Sequence, residues 1–161
     1  MASTTFSGPV TSTNGFIGAL TGNVTGNVTG NVTGNVAGTG RITHATTAAI
    51  NATATATAAE VATGYITSTS VGTVTITLPT GTLLGAALGA AKGTIFDLYV
   101  DNTAGASVVT MAVATNGILS SGAADTPGSF GDLTIAAGAT GLARFTIMFS
   151  SATAYVFTRT A

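Results

Sequence analysis

Residues 20–36 read LTGNVTGNVTGNVTGNV, four copies of Thr-Gly-Asn-Val opened by Leu20. A helix turns by about 100° per residue, so a four-residue repeat drifts by about 40° per copy and smears any apolar side. Gly, Asn, Thr and Val are also poor helix formers. In an extended chain, side chains alternate between faces. One face then carries Leu20, Gly22, Val24, Gly26, Val28, Gly30, Val32, Gly34 and Val36, and the other only Thr and Asn. A face of alternating Val and Gly suits close approach of backbones, each Val filling the gap opposite a neighbour's Gly. A lone strand of this kind has nothing to bury itself against. Wrapped with identical copies around an axis it is self-complementary, so the stretch is expected to be an oligomerisation arm, threefold by preference. Two other readings stay open: a disordered Gly/Thr/Asn linker, and a narrow β-helix with a tight Gly-Asn turn in each repeat. The strict register favours the arm.

Upstream, residues 1–19 hold two short apolar clusters, Phe6 and Phe16-Ile17, each bounded by turn residues, Gly8-Pro9 and Asn14-Gly15. They fit a small hairpin or an extended peptide laid on a partner, with Phe6, Phe16 and Ile17 as its contacts. The repeat arm spans 20–40 and closes on Gly38-Thr39-Gly40. Residues 41–63 are Ala/Thr-rich; Ala52 to Thr57 alternates with period two, so an extended connector is preferred over a helix.

Residues 64–161 read as a β-domain. Thr73-Val74-Thr75-Ile76-Thr77-Leu78 alternates, with Val74, Ile76 and Leu78 facing a core and Pro79 ending the strand. Thr80 or Thr82 can cap a short helix with Leu84, Ala87, Leu88 and Ala91 on one face, Lys92 in its last turn and Gly93 past its end. Further strands are expected at 65–70, 95–101, 108–114, 133–136, 142–149 and 155–159. A turn at Asn102-Thr103-Ala104-Gly105 joins the second and third of these, and a turn at 150–153 joins the last two. The expected fold is mainly β: a small antiparallel β-barrel or sandwich with one short helix, preceded by an extended arm that forms a trimeric β-assembly.

Charged residues make up 6% of the 161 positions and the net charge is −1, against about 25% charged in ordinary soluble domains. Such a chain neither neutralises a phosphate backbone nor steers to an anionic surface, which argues against nucleic-acid and membrane partners. So few charges also predict poor solubility for a free monomer and suit life within an assembly. There is no Cys, hence no disulfide and no thiolate metal site. The first residues lack the basic and apolar segments of a signal peptide. The sequons at Asn23, Asn27, Asn31 and Asn51 are then by-products of Thr-rich sequence.

The candidate chemistry is thin. His44 is the one histidine and Glu60 the one glutamate, too few groups for a triad or a His-based metal centre. Asp97 and Asp101 share a strand face with Tyr99 between them. They fit either a carboxylate pair of the glycosidase kind, about 5–10 Å apart, or, preferably, a solvated strand face. Asp125 and Asp132 flank a Pro/Gly loop but supply fewer oxygens than calcium takes. Gly85, Gly89 and Gly93 form a small-residue stripe for close packing on a sheet. Neither a phosphate loop nor a cofactor motif is present, and no enzyme is expected.

Several stretches together resemble the head decoration, or cement, proteins of tailed bacteriophages. They are Leu78-Pro79-Thr80, the Leu/Ala/Gly helix after it, Gly93 through Ala104, Gly117-Ile118-Leu119, and Ala136-Ala137-Gly138-Ala139-Thr140 before a final hairpin. The Thr-Gly-Asn-Val repeats are similar to stretches of phage fibre and head-fibre proteins. The resemblance implies a homotrimer on the outer surface of a virion, seated where subunits of the major capsid protein meet. A head or tail fibre with a β-stalk and a receptor-recognising tip is the second class. An ice-binding surface is the third and fits worst, because the Thr alternations are short.

Overall fold

The computed structural model describes residues 47–119 and 133–160. The repeat arm, the Phe6 and Phe16-Ile17 clusters, His44, Asp125 and Asp132 lie outside the described residues. The described chain is mainly β, with ten strands, two α-helices and one 3-10 turn. The strands are β1 (Ala48–Ala49), β2 (Ala54–Thr55), β3 (Tyr65–Thr67), β4 (Val74–Thr77), β5 (Ile95–Asp101), β6 (Val109–Ala112), β7 (Gly117–Leu119), β8 (Thr134–Ile135), β9 (Leu142–Ser151) and β10 (Ala154–Arg159). The helices are α1 (Ala58–Ala62) and α2 (Gly81–Leu88).

The expected antiparallel topology is corrected: both sheets are mixed. One has the order β1-β3-β5-β9-β10-β7 and the other β2-β4-β6-β8. From β1 to β8 the chain crosses to the other sheet after every strand, so the first three strands of each sheet have neighbours two strands apart in sequence. Those neighbours run parallel, β1 with β3 and β5 on one side and β2 with β4 and β6 on the other. The turn expected at 102–105 therefore joins β5 of one sheet to β6 of the other. The final hairpin holds, with Phe157 opposite Ile147 and Tyr155 opposite Phe149.

Period-two patterning explains the faces. Val74, Ile76 and Leu78 are fully buried, as their alternation predicts. Leu98, Val100, Phe145 and Ile147 from the six-stranded sheet join Val109, Met111 and Ile135 from the four-stranded one in a single core. Phe145 stacks on Phe157 with ring centroids 4.8 Å apart, a geometry that adds to simple area burial.

The stretch read as an extended connector differs most from expectation. It contributes β1, β2 and α1, and Ala48, Ile50, Ala56 and Val61 are buried in the same core. A capping box starts α1: the Glu60 amide donates to the Thr57 hydroxyl at 3.2 Å, and the Thr57 amide donates to the Glu60 carboxylate at 2.7 Å. Two orphan donors are thereby satisfied at once, which lets a five-residue helix form in Ala/Thr-rich sequence.

Thr80 caps α2, accepting from the Leu83 amide. The helix ends one turn earlier than expected, because Gly89 takes the left-handed conformation at φ 58° and closes it. Ala91, Lys92 and Gly93 thus lie beyond the helix. Of the glycine stripe, only Gly85 packs as predicted: a Cβ there would collide with the Ala152 carbonyl in the β9–β10 turn.

Asn102, fully buried, ties three loops together. Its side-chain amide donates to the carbonyls of Ser107 at 2.8 Å and Ala136 at 2.9 Å. Its backbone amide donates to the Gly141 carbonyl, and its own carbonyl accepts from Gly105 and Gly138. Those bonds hold the end of β5 against the approach to β9.

Candidate functional site

The inner positions of β5 and β9 are buried, so Ile95, Asp97, Tyr99 and Asp101 turn outward with Leu142, Arg144, Thr146 and Met148. Strand register then lays these side chains in rows across the outer face of the six-stranded sheet. At one end Ile95, Met148, Val156 and Ile118 are successive cross-strand partners over four strands. The next row brings Asp97 beside Thr146 and Thr158. The row after it aligns Tyr65, Tyr99 and Arg144, and beyond it lie Thr67, Asp101 and Leu142.

The second, third and fourth rows hold the polar chemistry. Arg144 donates to Asp97 at 2.6 Å, and the Thr146 hydroxyl donates to the other Asp97 oxygen at 2.9 Å. The guanidinium of Arg144 also stands 6.0 Å from the centre of the Tyr99 ring, within cation–π range. Tyr65 and Tyr99 are stacked with centroids 6.5 Å apart. The Tyr65 hydroxyl donates to Asp101 at 2.7 Å. Asp101 also accepts from the hydroxyl of Thr103 at 2.6 Å and from its amide at 2.9 Å.

These contacts set the protonation states. The hydrogen bond from Arg144 holds the Asp97 carboxyl below its ordinary range. That from the Thr103 hydroxyl does the same for Asp101. Donating to Asp101 raises the Tyr65 phenol. At neutral pH the face therefore carries the Asp97 and Asp101 carboxylates, the Arg144 guanidinium and the neutral Tyr65 phenol.

The carboxylate-pair reading of Asp97 and Asp101 does not fit. Asp97 is held by Arg144 and Thr146 and Asp101 by Tyr65 and Thr103, so each carboxylate is engaged by its own donors and the two share none. Glu60 is committed to the cap of α1. Among the described residues no group of three or more His, Cys, Asp or Glu could hold a metal ion. No described helix is long and apolar enough to cross a membrane.

The proposed oligomerisation residues (Leu20, Gly22, Val24, Gly26, Val28, Gly30, Val32, Gly34 and Val36) and the proposed contacts Phe6, Phe16 and Ile17 lie outside the described residues. Reading the sequence found Asp97, Tyr99 and Asp101 on one face but missed Arg144 and Tyr65. The signal for Arg144 was present: Leu142, Arg144 and Thr146 alternate with Ala143, Phe145 and Ile147. Nothing local says that this strand lies beside β5.

Comparison of the chain with family models, with curated proteins and with solved structures finds no match.

Proposed function

We propose that this chain is a structural protein of a virion: a homotrimeric decoration protein on the outer capsid surface that bridges neighbouring major capsid subunits without catalysis or a cofactor. The observation that carries the reading is the register-perfect Thr-Gly-Asn-Val repeat, whose Val/Gly face is complementary to copies of itself, joined to a charge-poor β-rich domain. In this reading Leu20, Gly22, Val24, Gly26, Val28, Gly30, Val32, Gly34 and Val36 are the trimer contacts, and Phe6, Phe16 and Ile17 touch the capsid. Packing the domain as a two-sheet sandwich leaves the outer face of the larger sheet available for further contacts.

Physically, each contact with the shell is weak, and linking three raises avidity over single-site affinity by about 10²–10⁴. With few charges the contacts are mostly apolar or backbone hydrogen bonds, so attachment depends little on salt. The test is to strip the protein from particles, or make particles without it, and add it back. Saturable rebinding in multiples of three, with a raised temperature of genome release, is expected. Particles equally heat-stable without it, or a handful of copies at one vertex, move the assignment to a head or tail fibre.

A further inference from the structure

The apolar row at one end of the outer sheet face turns away from the core. Ile95, Met148, Val156 and Ile118 are successive cross-strand partners on β5, β9, β10 and β7, while Ile147, Phe149, Tyr155 and Phe157 fill the opposite side of the same sheet. Seven large apolar side chains are exposed among the described residues, and three of them fall in this row: Ile95 at 64%, Ile118 at 54% and Met148 at 47%. Single exposed apolar residues are ordinary, whereas a contiguous group of them marks a contact surface. We infer that this row is a twofold contact between the folded domains of two copies of this chain, with Ile95 of each over Ile118 of the other.

The occupant follows from the order of the row. Read from either end it is isoleucine, two mid-sized apolar side chains, isoleucine. Neighbouring strands lie about 4.8 Å apart, so the row is about 14 Å long, with its midpoint between β9 and β10. A twofold axis running along the strands through that midpoint lays one sheet face over the other and reverses the row. Ile95 then meets Ile118 of the second copy and Met148 meets its Val156. Each contact occurs twice, as an isologous interface requires. Sheets packed face to face stand about 10 Å apart, which lets the side chains of two such rows interdigitate.

The charges agree with this occupant. The same operation sets Thr146 over Thr158 of the second copy and Arg144 over its Thr160, while Asp97 and Asp101 stay on β5, toward the rim. No two like charges meet among the described residues. With a net charge of −1, little long-range repulsion opposes the approach of two copies. A lipid surface fits less well, because it favours a basic flank and the nearest cation, Arg144, is paired with Asp97 at 2.6 Å. The exposed part of the row is on the order of 300 Å², well under the roughly 800 Å² per partner of a stable complex. One contact is therefore weak, with a dissociation constant on the order of a millimolar. The row is separate from the proposed trimer contacts in the repeat: it links domains of neighbouring trimers, or pairs two monomers directly.

The test is sedimentation equilibrium of the full chain from micromolar to millimolar concentration. The expected result is a constant mass at the low end and a rise toward twice that mass at the high end. Ile95→Lys and Ile118→Glu should each weaken association at least tenfold, because each sets an unpaired charge against an apolar partner. The double variant sets opposite charges over each other at both ends of the row, so association should return to near the parent's and become sensitive to salt. Leu142→Lys, exposed but on another row, should leave it unchanged. Thermal unfolding of each variant separates lost association from lost fold. A mass that stays constant up to millimolar concentration overturns the inference, as does a folded double variant no better than the single ones. Row variants that abolish attachment to capsids, from a parent that does not self-associate, also overturn it and assign the row to the major capsid subunit. The outcome is independent of the trimer: monomers that pair through the row support this inference and refute the trimer, and trimers that never pair do the reverse.

Discussion

The hydroxyl of Tyr155 on β10 donates a 3.0 Å hydrogen bond to the carbonyl of Pro79, joining the final hairpin to the segment that ends β4 and leads into α2. Tyr155 is fully buried and its ring packs at 5.9 Å from Phe149. Gly117, at the start of β7, leaves room for the phenol: a Cβ there would lie 2.6 Å from the hydroxyl oxygen. One side chain thus connects both sheets and α2, and the hydrogen bond makes burial of its polar end tolerable.

Tyr155→Phe is expected to lower stability by about 1–3 kcal/mol, because it leaves the buried Pro79 carbonyl without this donor. Burial pushes the Tyr155 phenol up from 10.0 to about 12. The unfolded chain releases this proton near its ordinary pKa, while the folded chain retains it. The contribution is thus fully present below pH 10 and is lost as pH rises toward 12. A shift of that size is worth on the order of 3 kcal/mol. Urea unfolding measured from pH 8 to 12 should show a steep alkaline loss that is shallower in Tyr155→Phe, and equal slopes would refute the assignment.

Gly85→Ala separates local propensity from packing. Replacing a helical Gly by Ala gains about 1 kcal/mol from propensity alone. Here the added methyl meets the Ala152 carbonyl, and overpacking costs about 1–3 kcal/mol. Net destabilisation is expected. Gly72→Ala, where a Cβ has nothing within 4 Å, should stay within about 0.5 kcal/mol of the parent. Thermal melts of the pair decide it, and a stabilised Gly85→Ala would mean that the turn moves aside.

Asn102→Asp exchanges a double donor for an acceptor at the same size. Both the Ser107 and Ala136 carbonyls lose their bond, for an expected loss of about 2–6 kcal/mol. Burial favours the neutral acid, so the introduced carboxyl has a raised pKa, and protonation restores one donor. The loss should therefore shrink as pH falls toward 4, opposite to ordinary acid denaturation. A variant equally unstable at both pH values would show that the amide's donors are not what holds the loops.

Gly26→Val with Gly30→Val tests the repeat. If these glycines face an intermolecular axis, each replacement overpacks it by about 1–3 kcal/mol, applied in every copy. Light scattering coupled to size exclusion should give about three times 15.5 kDa for the parent and a smaller species for the double variant. A monodisperse parent monomer at micromolar concentration refutes the trimer, and a variant identical to a trimeric parent identifies the repeat as a linker.

Side-chain periodicity by itself determined much of this protein. The inward set Val74, Ile76 and Leu78, the Thr80 cap, the turn at 102–105 and the β9–β10 hairpin are legible because each depends on neighbours within a few residues. The Thr57-Ala58-Ala59-Glu60 pattern that starts α1 was legible too, as a capping box, but the alternation of Ala and Thr before it masked the signal. Tertiary structure alone decided which strands pair. Alternation specifies which side of a strand is buried, and that side is the same whether the next strand folds back beside it or crosses to the opposite sheet. Crossing after each strand made the early neighbours parallel. It also brought Tyr65, Tyr99 and Arg144 into one row from three strands far apart in the chain. The candidate face exists only through that pairing, because its chemistry depends on register between strands that no local pattern specifies.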